Sequence, residues 1–388
     1  MSRRLRLGMV GGGEGAFIGA VHRMAARLDD RYELVAGALS SDPARAHGSA
    51  AALHIAPDRS YGDFRDMARA EAGRLDMVSI VTPNHVHAAA AIAFLDAGIH
   101  VMCDKPLTHT MEAAEALAAA VARSGCLFGL THNYTGYPMV RQAREMIAAG
   151  ALGAIRVVQV EYPQGWLATA LEASGQKQAS WRTDPARTGA GGALGDIGTH
   201  AFNLAEFVSG LQVETLVADL ASFVAGRRVD DNAHILLRFG GGAKGMLFAS
   251  QVAVGCDNAL KLRVFGETGS LAWRQEVPES LTWGRLGEAP VVLARGGPGL
   301  GDAAAHATRL PGGHPEGYLE GFAQIYTDMA EQISARRAGR VADPRCLLVP
   351  GIAEGLRGMR FIAAAVASSQ ADAGWVSLAS LGLEHGAG

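Results

Sequence analysis

From Leu5 onward, short apolar runs alternate with longer stretches in which apolar residues recur three and four positions apart. Leu5, Leu7, Met9 and Val10 suit a strand buried on both faces, and Ile18, Val21, Met24, Ala25 and Leu28 mark one face of a helix. Tyr32 to Leu39, Met77 to Thr82, His100 to Asp104 and Leu127 to Leu130 read as four further strands. Between them lie a helix opened by Asp42-Pro43, with Asp as N-cap and Pro at its first position, an alanine-rich helix closed by Gly98, and a helix from Thr110 that stops at Gly125. Such alternation predicts right-handed βαβ units in a doubly wound parallel sheet covered by helices on both faces. Ligands of that architecture bind beyond the carboxyl ends of the strands.

The pattern changes near residue 135, after a helix at Pro138 to Ala149 that Gly150 terminates. Strand-like stretches then follow one another from Ile155, Glu214, His234, Lys244, Leu260 and Ser270, with tight turns such as Gly240-Gly241-Gly242. Helices are expected near Thr199 to Gly210, Glu316 to Arg336 and Arg345 to Val366. The expected fold class is α/β: an N-terminal Rossmann domain over residues 1–134, then a C-terminal α+β domain over residues 135–388 with an open, mainly antiparallel sheet. Alternating Ile235, Leu237 and Phe239 predict an apolar sheet face that few helices cover, and hence a homodimer or homotetramer.

Between the first strand and helix the chain reads Gly11-Gly12-Gly13-Glu14-Gly15-Ala16. Glycines there take positive φ and expose bare amides to a pyrophosphate at the positive end of a helix. The standard G-x-G-x-x-G spacing is stretched, because five residues separate Gly13 from Gly19, and Glu14, Gly15 and Ala16 look inserted. Where an Asp or Glu normally binds the adenosine ribose of NAD, about 20 residues on, this chain has Ser40, Ser41 and, one turn into the next helix, Arg45. That leaves NAD and NADP both open.

A net charge of −3, with acidic residues scattered, gives no electrostatic footprint for nucleic acid. The four cysteines form no C-x-x-C pair and suit free thiols of a reducing, cytoplasmic compartment. No stretch reaches the ~18 apolar residues of a membrane span. His85 and His87, two apart on a helix, face different sides, so no metal site is expected of them.

Three segments carry chemistry in this order: Thr82-Pro83-Asn84-His85-Val86-His87, Asp104-Lys105-Pro106, and Gly191-Gly192-Ala193-Leu194-Gly195-Asp196-Ile197-Gly198-Thr199-His200. With them the chain resembles the Gfo/Idh/MocA oxidoreductases over nearly its whole length. Gln164-Gly165-Trp166 and Trp181-Arg182 look most like the levoglucosan dehydrogenase type. Asp104 departs from the family's usual Glu, keeping a carboxylate. The resemblance implies an NAD(P)-dependent enzyme that transfers a hydride between nicotinamide and a secondary alcohol of a sugar, glycoside or polyol, with Lys105, Asp196 and His200 as its catalytic lysine, aspartate and histidine. Expected dinucleotide contacts are Gly11, Gly13, Phe17, Ile18, Ser40, Ser41, Arg45, Thr82, Asn84, His87, Asp104, Lys105, Asn133, Trp181 and Arg182. Expected substrate contacts are Lys105, Tyr134, Gln164, Trp166, Asp196, His200 and His314.

Oxidising a secondary alcohol requires a base for the hydroxyl proton and a donor for the developing alkoxide, held in register with the hydride acceptor. Lys105 and His200 can supply the first two, and Asp196, four residues before His200, shares a helix face with it. Taken singly, Asp196 reads better as a helix N-cap and His200 as a core histidine; together with Lys105 and within the motif, the functional reading comes first. Two other functions use the same residues: a glycosidase that works by transient oxidation, and a non-catalytic regulator that binds dinucleotide and sugar.

Overall fold

The computed structural model describes residues 3–379, which form two compact units. The first unit opens with β1 (Leu5–Gly11), α1 (Phe17–Leu28), β2 (Tyr32–Ala38), α2 (Pro43–Ala52), α3 (Phe64–Ala70), β3 (Met77–Val81), α4 (Asn84–Asp96), β4 (His100–Cys103), α5 (Met111–Ser124) and β5 (Phe128–Leu130). The strands pair in parallel in the order β2-β1-β3-β4-β5, the doubly wound topology expected from the alternation. Asp42 caps α2 as read, its Oδ1 accepting the amide of Arg45 at 2.8 Å.

In the second unit come α6 (Pro138–Ala148), β6 (Ile155–Pro163), α7 (Lys177–Arg182), α8 (Pro185–Thr188) and α9 (Thr199–Ser209), followed by β7 (Val213–Ala221), β8 (Asn232–Phe239) and β9 (Lys244–Ser250). Then follow β10 (Lys261–Gly266), β11 (Gly269–Arg274), β12 (Ser280–Arg285), β13 (Val291–Ala294) and α10 (Asp302–Ala307). The last described elements are α11 (Tyr318–Arg337), α12 (Ile352–Gln370) and β14 (Val376–Ser377). The second sheet runs β13-β12-β11-β10-β6-β9-β8-β7-β14. It is mixed rather than wholly antiparallel, because β6 and β9 pair in parallel. The last helix begins at Ile352 and not at Arg345, since Val349-Pro350-Gly351 breaks any helix there.

Two differences from the expected layout matter. Residues 318–356 belong to the first unit, so the chain does not divide once at residue 134. Phe322, Ile325, Tyr326, Met329 and Ile333 of α11 join Leu5, Leu7, Val21, Ala25, Tyr32, Met77 and Met102 in one core, and each Leu, Ile, Val, Phe or Met side chain fully buried there stabilises by roughly 1.5–3 kcal/mol. β8 also turns the opposite face to the core: Ile235, Leu237 and Phe239 are 2%, 1% and 2% exposed, on the side of the sheet that α9 covers at neighbouring strands. Alternation on a strand marks two faces, and here the outward set is His234, Leu236 and Arg238.

Candidate active site

At the carboxyl edge of the first sheet the chain leaves β1 through Gly11 and Gly12, with φ of 75° and 70°. A Cβ on Gly11 would lie 2.6 Å from the carbonyl of Val81, and one on Gly19 would lie 2.3 Å from the carbonyl of Gly12. Gly12, overlooked in the sequence, is thus the residue against which α1 packs. Gly15, at φ 75° with open space around it, carries the inserted bulge outward. The helix α1 starts with neither a side-chain cap nor an acidic residue in its first turn. Bare glycine backbone before an uncapped, uncharged helix start fits a pyrophosphate. Nearby Ser40 Oγ accepts the amide of Asp42, while Ser41, just past β2, and Arg45, in the first turn of α2, are exposed.

Past β3 and β4 the loops are stapled by a histidine. His87, fully buried, places Nδ1 2.9 Å from the carbonyl of Pro106 and Nε2 2.9 Å from that of Thr82. Both ring nitrogens are therefore engaged with backbone, and His87 shapes this edge from behind; His85 on the same helix is exposed. Asn84 is 3% exposed at the head of α4. Asp104 Oδ1 accepts the hydroxyl of Thr131 at 2.6 Å and the amide of Lys105 at 3.0 Å. Burial pushes the Asp104 carboxyl up, but His22, Lys105 and the Thr131 hydrogen bond outweigh it and hold the group below the usual carboxylate range. Behind it, His22 Nε2 lies 4.0 Å from Asp104 and His22 Nδ1 lies 2.7 Å from the hydroxyl of Tyr326, which in turn is 2.7 Å from Ser79 Oγ. Lys105 is thus carried on a strand end whose neighbouring carboxylate is anchored into the core.

In the second unit, residues Leu194–Gly198 form a single π turn that runs into α9. Such turns widen a helix locally and recur at functional sites. The carboxylate of Asp196 sits on that turn, half-buried, and its Oδ2 accepts Arg182 Nε at 3.1 Å and Gln251 Nε2 at 2.8 Å. Capping falls to a different residue: Asp230 receives the amides of Gly192 and Leu194. His200 is 8% exposed, with the ring of Tyr162 6.3 Å away. Tyr162 and Gln164 both donate to Asn258 Oδ1, at 2.6 and 2.8 Å. Arg182 also lies over the ring of Trp181 at 4.3 Å, and Gln178 accepts from both side chains.

The expected residues thus fall into two sets. Gly11, Gly13, Phe17, Ile18, Ser40, Ser41, Arg45, Thr82, Asn84, His87, Asp104, Lys105 and Asn133 follow or flank the carboxyl ends of the first sheet's strands. Gln164, Trp166, Trp181, Arg182, Asp196 and His200 belong to the second unit. Tyr134, 3% exposed, lies with Asn133 in a turn of the first unit pressed so closely on α11 that a Cβ on Gly136 would fall 1.9 Å from the carbonyl of Gly321. His314 stands on an exposed loop, its Nδ1 3.3 Å from the carbonyl of Pro311. Reading the sequence missed Gln251, Asn258 and Asp230. The only signal for them was Asp230-Asp231 at the mouth of an apolar strand, where a carboxylate pair is costly without partners.

A Rossmann sheet with a glycine cradle, joined to a sheet-based unit that holds a carboxylate and a histidine on one helix, defines the class of two-part nicotinamide oxidoreductases. The model of an oxidoreductase family with an NAD-binding Rossmann fold matches residues 5–132, and that of the GFO/IDH/MocA C-terminal domain matches residues 140–272. The chain belongs to the Gfo/Idh/MocA family. It is 53% identical to an oxidoreductase from Sinorhizobium meliloti, covering 97% of this chain and 100% of that one at a TM-score of 0.88. It is 36% identical to an inositol dehydrogenase homolog from Azotobacter vinelandii, solved with NADH and myo-inositol, covering 97% and 98% at a TM-score of 0.89. Levoglucosan dehydrogenase from Pseudarthrobacter phenanthrenivorans is 29% identical over 72% of this chain and 76% of that protein.

Proposed function

We propose that the protein is an NAD(P)-dependent dehydrogenase that oxidises a secondary alcohol of a cyclic polyol or sugar, with inositols the first candidates. The observation that carries this reading is the Asp196 carboxylate, fixed by Arg182 and Gln251 on the helix that bears His200. A carboxylate is an acceptor only, and a polyol offers several hydroxyl donors in fixed relation. Asn258, which already gathers Tyr162 and Gln164, adds amide partners of the kind that orient a ring of hydroxyls. The likeness to an inositol dehydrogenase homolog solved with NADH and myo-inositol supports the substrate class.

Gly11 to Gly13, Ser40, Ser41 and the strand ends would hold the dinucleotide, which supplies the hydride acceptor when bound. Lys105 donates to the carbinol oxygen as charge develops on it, and His200 takes the hydroxyl proton. Asp196 accepts from a neighbouring hydroxyl and so sets which carbon reacts. A screen of NAD and NADP reduction across inositols, pyranoses and anhydrosugars is expected to give net reduced cofactor with at least one inositol or sugar. Aglycone release without net reduction points instead to the glycosidase, and no turnover on any substrate points to a binding regulator.

The assembly belongs to the same reading. Among the described residues no helix is long and apolar enough to cross a membrane. On the outward face of the second sheet, Leu236 and Met246 pair across β8 and β9 while 53% and 45% exposed. His234 stacks on Phe248 beside them, at 5.0 Å. A patch of that kind marks an association surface. The protein is expected to be a homodimer or homotetramer in light scattering at micromolar concentration, and Leu236→Glu with Met246→Glu to shift it towards monomer; a wild-type monomer sinks the proposal.

A further inference from the structure

Three successive amides at the head of the helix that carries Asp196 and His200 end on one residue. Gly192 N donates to Asp230 Oδ1 at 2.6 Å, Ala193 N to the Asp230 carbonyl at 2.9 Å, and Leu194 N to Asp230 Oδ2 at 2.7 Å. These are the amides that a helix leaves without an internal acceptor, and a carboxylate suits that end of the helix. The approach is close enough to require glycine: a Cβ on Gly192 would lie 2.1 Å from the Asp230 carbonyl oxygen. Asp230 itself is 9% exposed at the mouth of β8, and the partners of its carboxylate are backbone amides.

The next residue reaches the other parts of the same site. Asp231, 1% exposed, takes the amides of Phe223 and Val224 and an Nη1 hydrogen of Arg227 at 3.1 Å. Its carbonyl accepts the amide of Gln251 at 2.8 Å, and the Gln251 side chain holds Asp196. Arg227 spends its remaining hydrogens on Glu172 and on the carbonyls of Leu167 and Thr169. Those residues lie in the loop that follows Gln164 and Trp166. One dipeptide therefore ties together the helix head, the partner of Asp196 and the loop after β6.

We propose that Asp230 is a positioning residue for the dehydrogenase reaction: with Asp231 it forms the common anchor that sets the helix bearing Asp196 and His200 against the loop bearing Gln164 and Trp166. This rests on the functional reading above. A serine or asparagine cap supplies one acceptor, whereas this helix head presents two side-chain-bound amides on either side of a backbone-bound one. In Asp230→Asn one oxygen becomes an NH2 that faces an amide donor, so the helix head loses a partner while side-chain volume is kept.

The test uses the full-length Asp230→Asn variant. Amide hydrogen exchange over residues 192–200 is expected to quicken, the polyol KM to rise, kcat to fall at least tenfold and the deuterium isotope effect on hydride transfer to grow. The dinucleotide dissociation constant is expected to stay within twofold. A loss of kcat that only matches a smaller folded fraction, with KM and isotope effect unchanged, overturns the proposal, as do wild-type exchange and kinetics. Where Asn does not fold, Asp230→Glu, which keeps both oxygens on a longer stem, serves instead: its polyol KM is expected to rise with dinucleotide affinity kept, and wild-type constants overturn the proposal. If wild type turns over no polyol, the functional reading fails by itself, and the exchange measurement alone decides whether Asp230 anchors the helix.

Discussion

Lys105→Met is expected to lower turnover by about 10²–10⁴-fold, the usual contribution of a positioned proton-transfer group, while dinucleotide binding survives. Methionine keeps the length of the stem and removes the ammonium. Two neighbours register the loss: Lys105 helps hold the Asp104 carboxyl down and the His132 imidazole down, so both would move up without it. His200→Ala is expected to fall by a similar factor and, because His200 lies on the helix that Asp196 shares, to raise the polyol KM more than Lys105→Met does. Oxidation of an alcohol releases a proton, so wild-type turnover should rise with pH. Stopped-flow and steady-state kinetics on both variants decide the matter. If both keep near-normal kcat, these side chains are structural and the regulator reading takes over.

The first sheet was legible because its signals are local. Each strand is a buried apolar run, each helix has a stop such as Gly98 or Gly125, and Asp42-Pro43 announces its own cap. The helix with Asp196 and His200 was legible as a motif. What caps it was not, since Asp230 lies 38 residues from the amide of Gly192 and only the tertiary fold brings them together. The π turn at Leu194–Gly198 has no sequence code of its own. Alternation along β8 showed two faces but not which of them helices would cover, and the inward side was mistaken for the outward one. α11 was read as part of the second domain because a helix's apolar stripe records that it packs, not where. The insertion in the glycine turn, by contrast, was visible by counting alone, and Gly15 bulges as that count implied.

Acidification is expected to destabilise the fold well before ordinary carboxylates are protonated. Burial pushes the His22 imidazole down to about 4, against the pull of Asp104, burial with the nearby Arg336 charge pushes His100 down to about 4, and burial with the nearby Lys105 charge pushes His132 down to about 3. In the unfolded chain all three have pKa values near 6.5. Each is therefore neutral in both states at pH 7, and between about pH 6 and 4 the unfolded chain binds a proton at each that the folded one refuses. Stability falls with falling pH in that window, by about 1.4 kcal/mol per pH unit for each such proton. Asp230 acts in the opposite sense, since burial raises its carboxyl to about 6 against the amides it receives, so the folded state takes up a proton there first. Three histidines against one carboxyl leave a net loss of about two protons' worth, roughly 2.8 kcal/mol per pH unit. Urea denaturation at fixed temperature from pH 7 to 4.5 measures this slope. His22→Leu removes one of the three histidine protons and should roughly halve the slope, at the cost of lower stability at pH 7, where the hydroxyl of Tyr326 loses its ring partner. A wild-type midpoint that stays constant down to pH 4.5 would show that His22, His100 and His132 accept protons without cost, and that the buried core around them is wetter than its geometry implies.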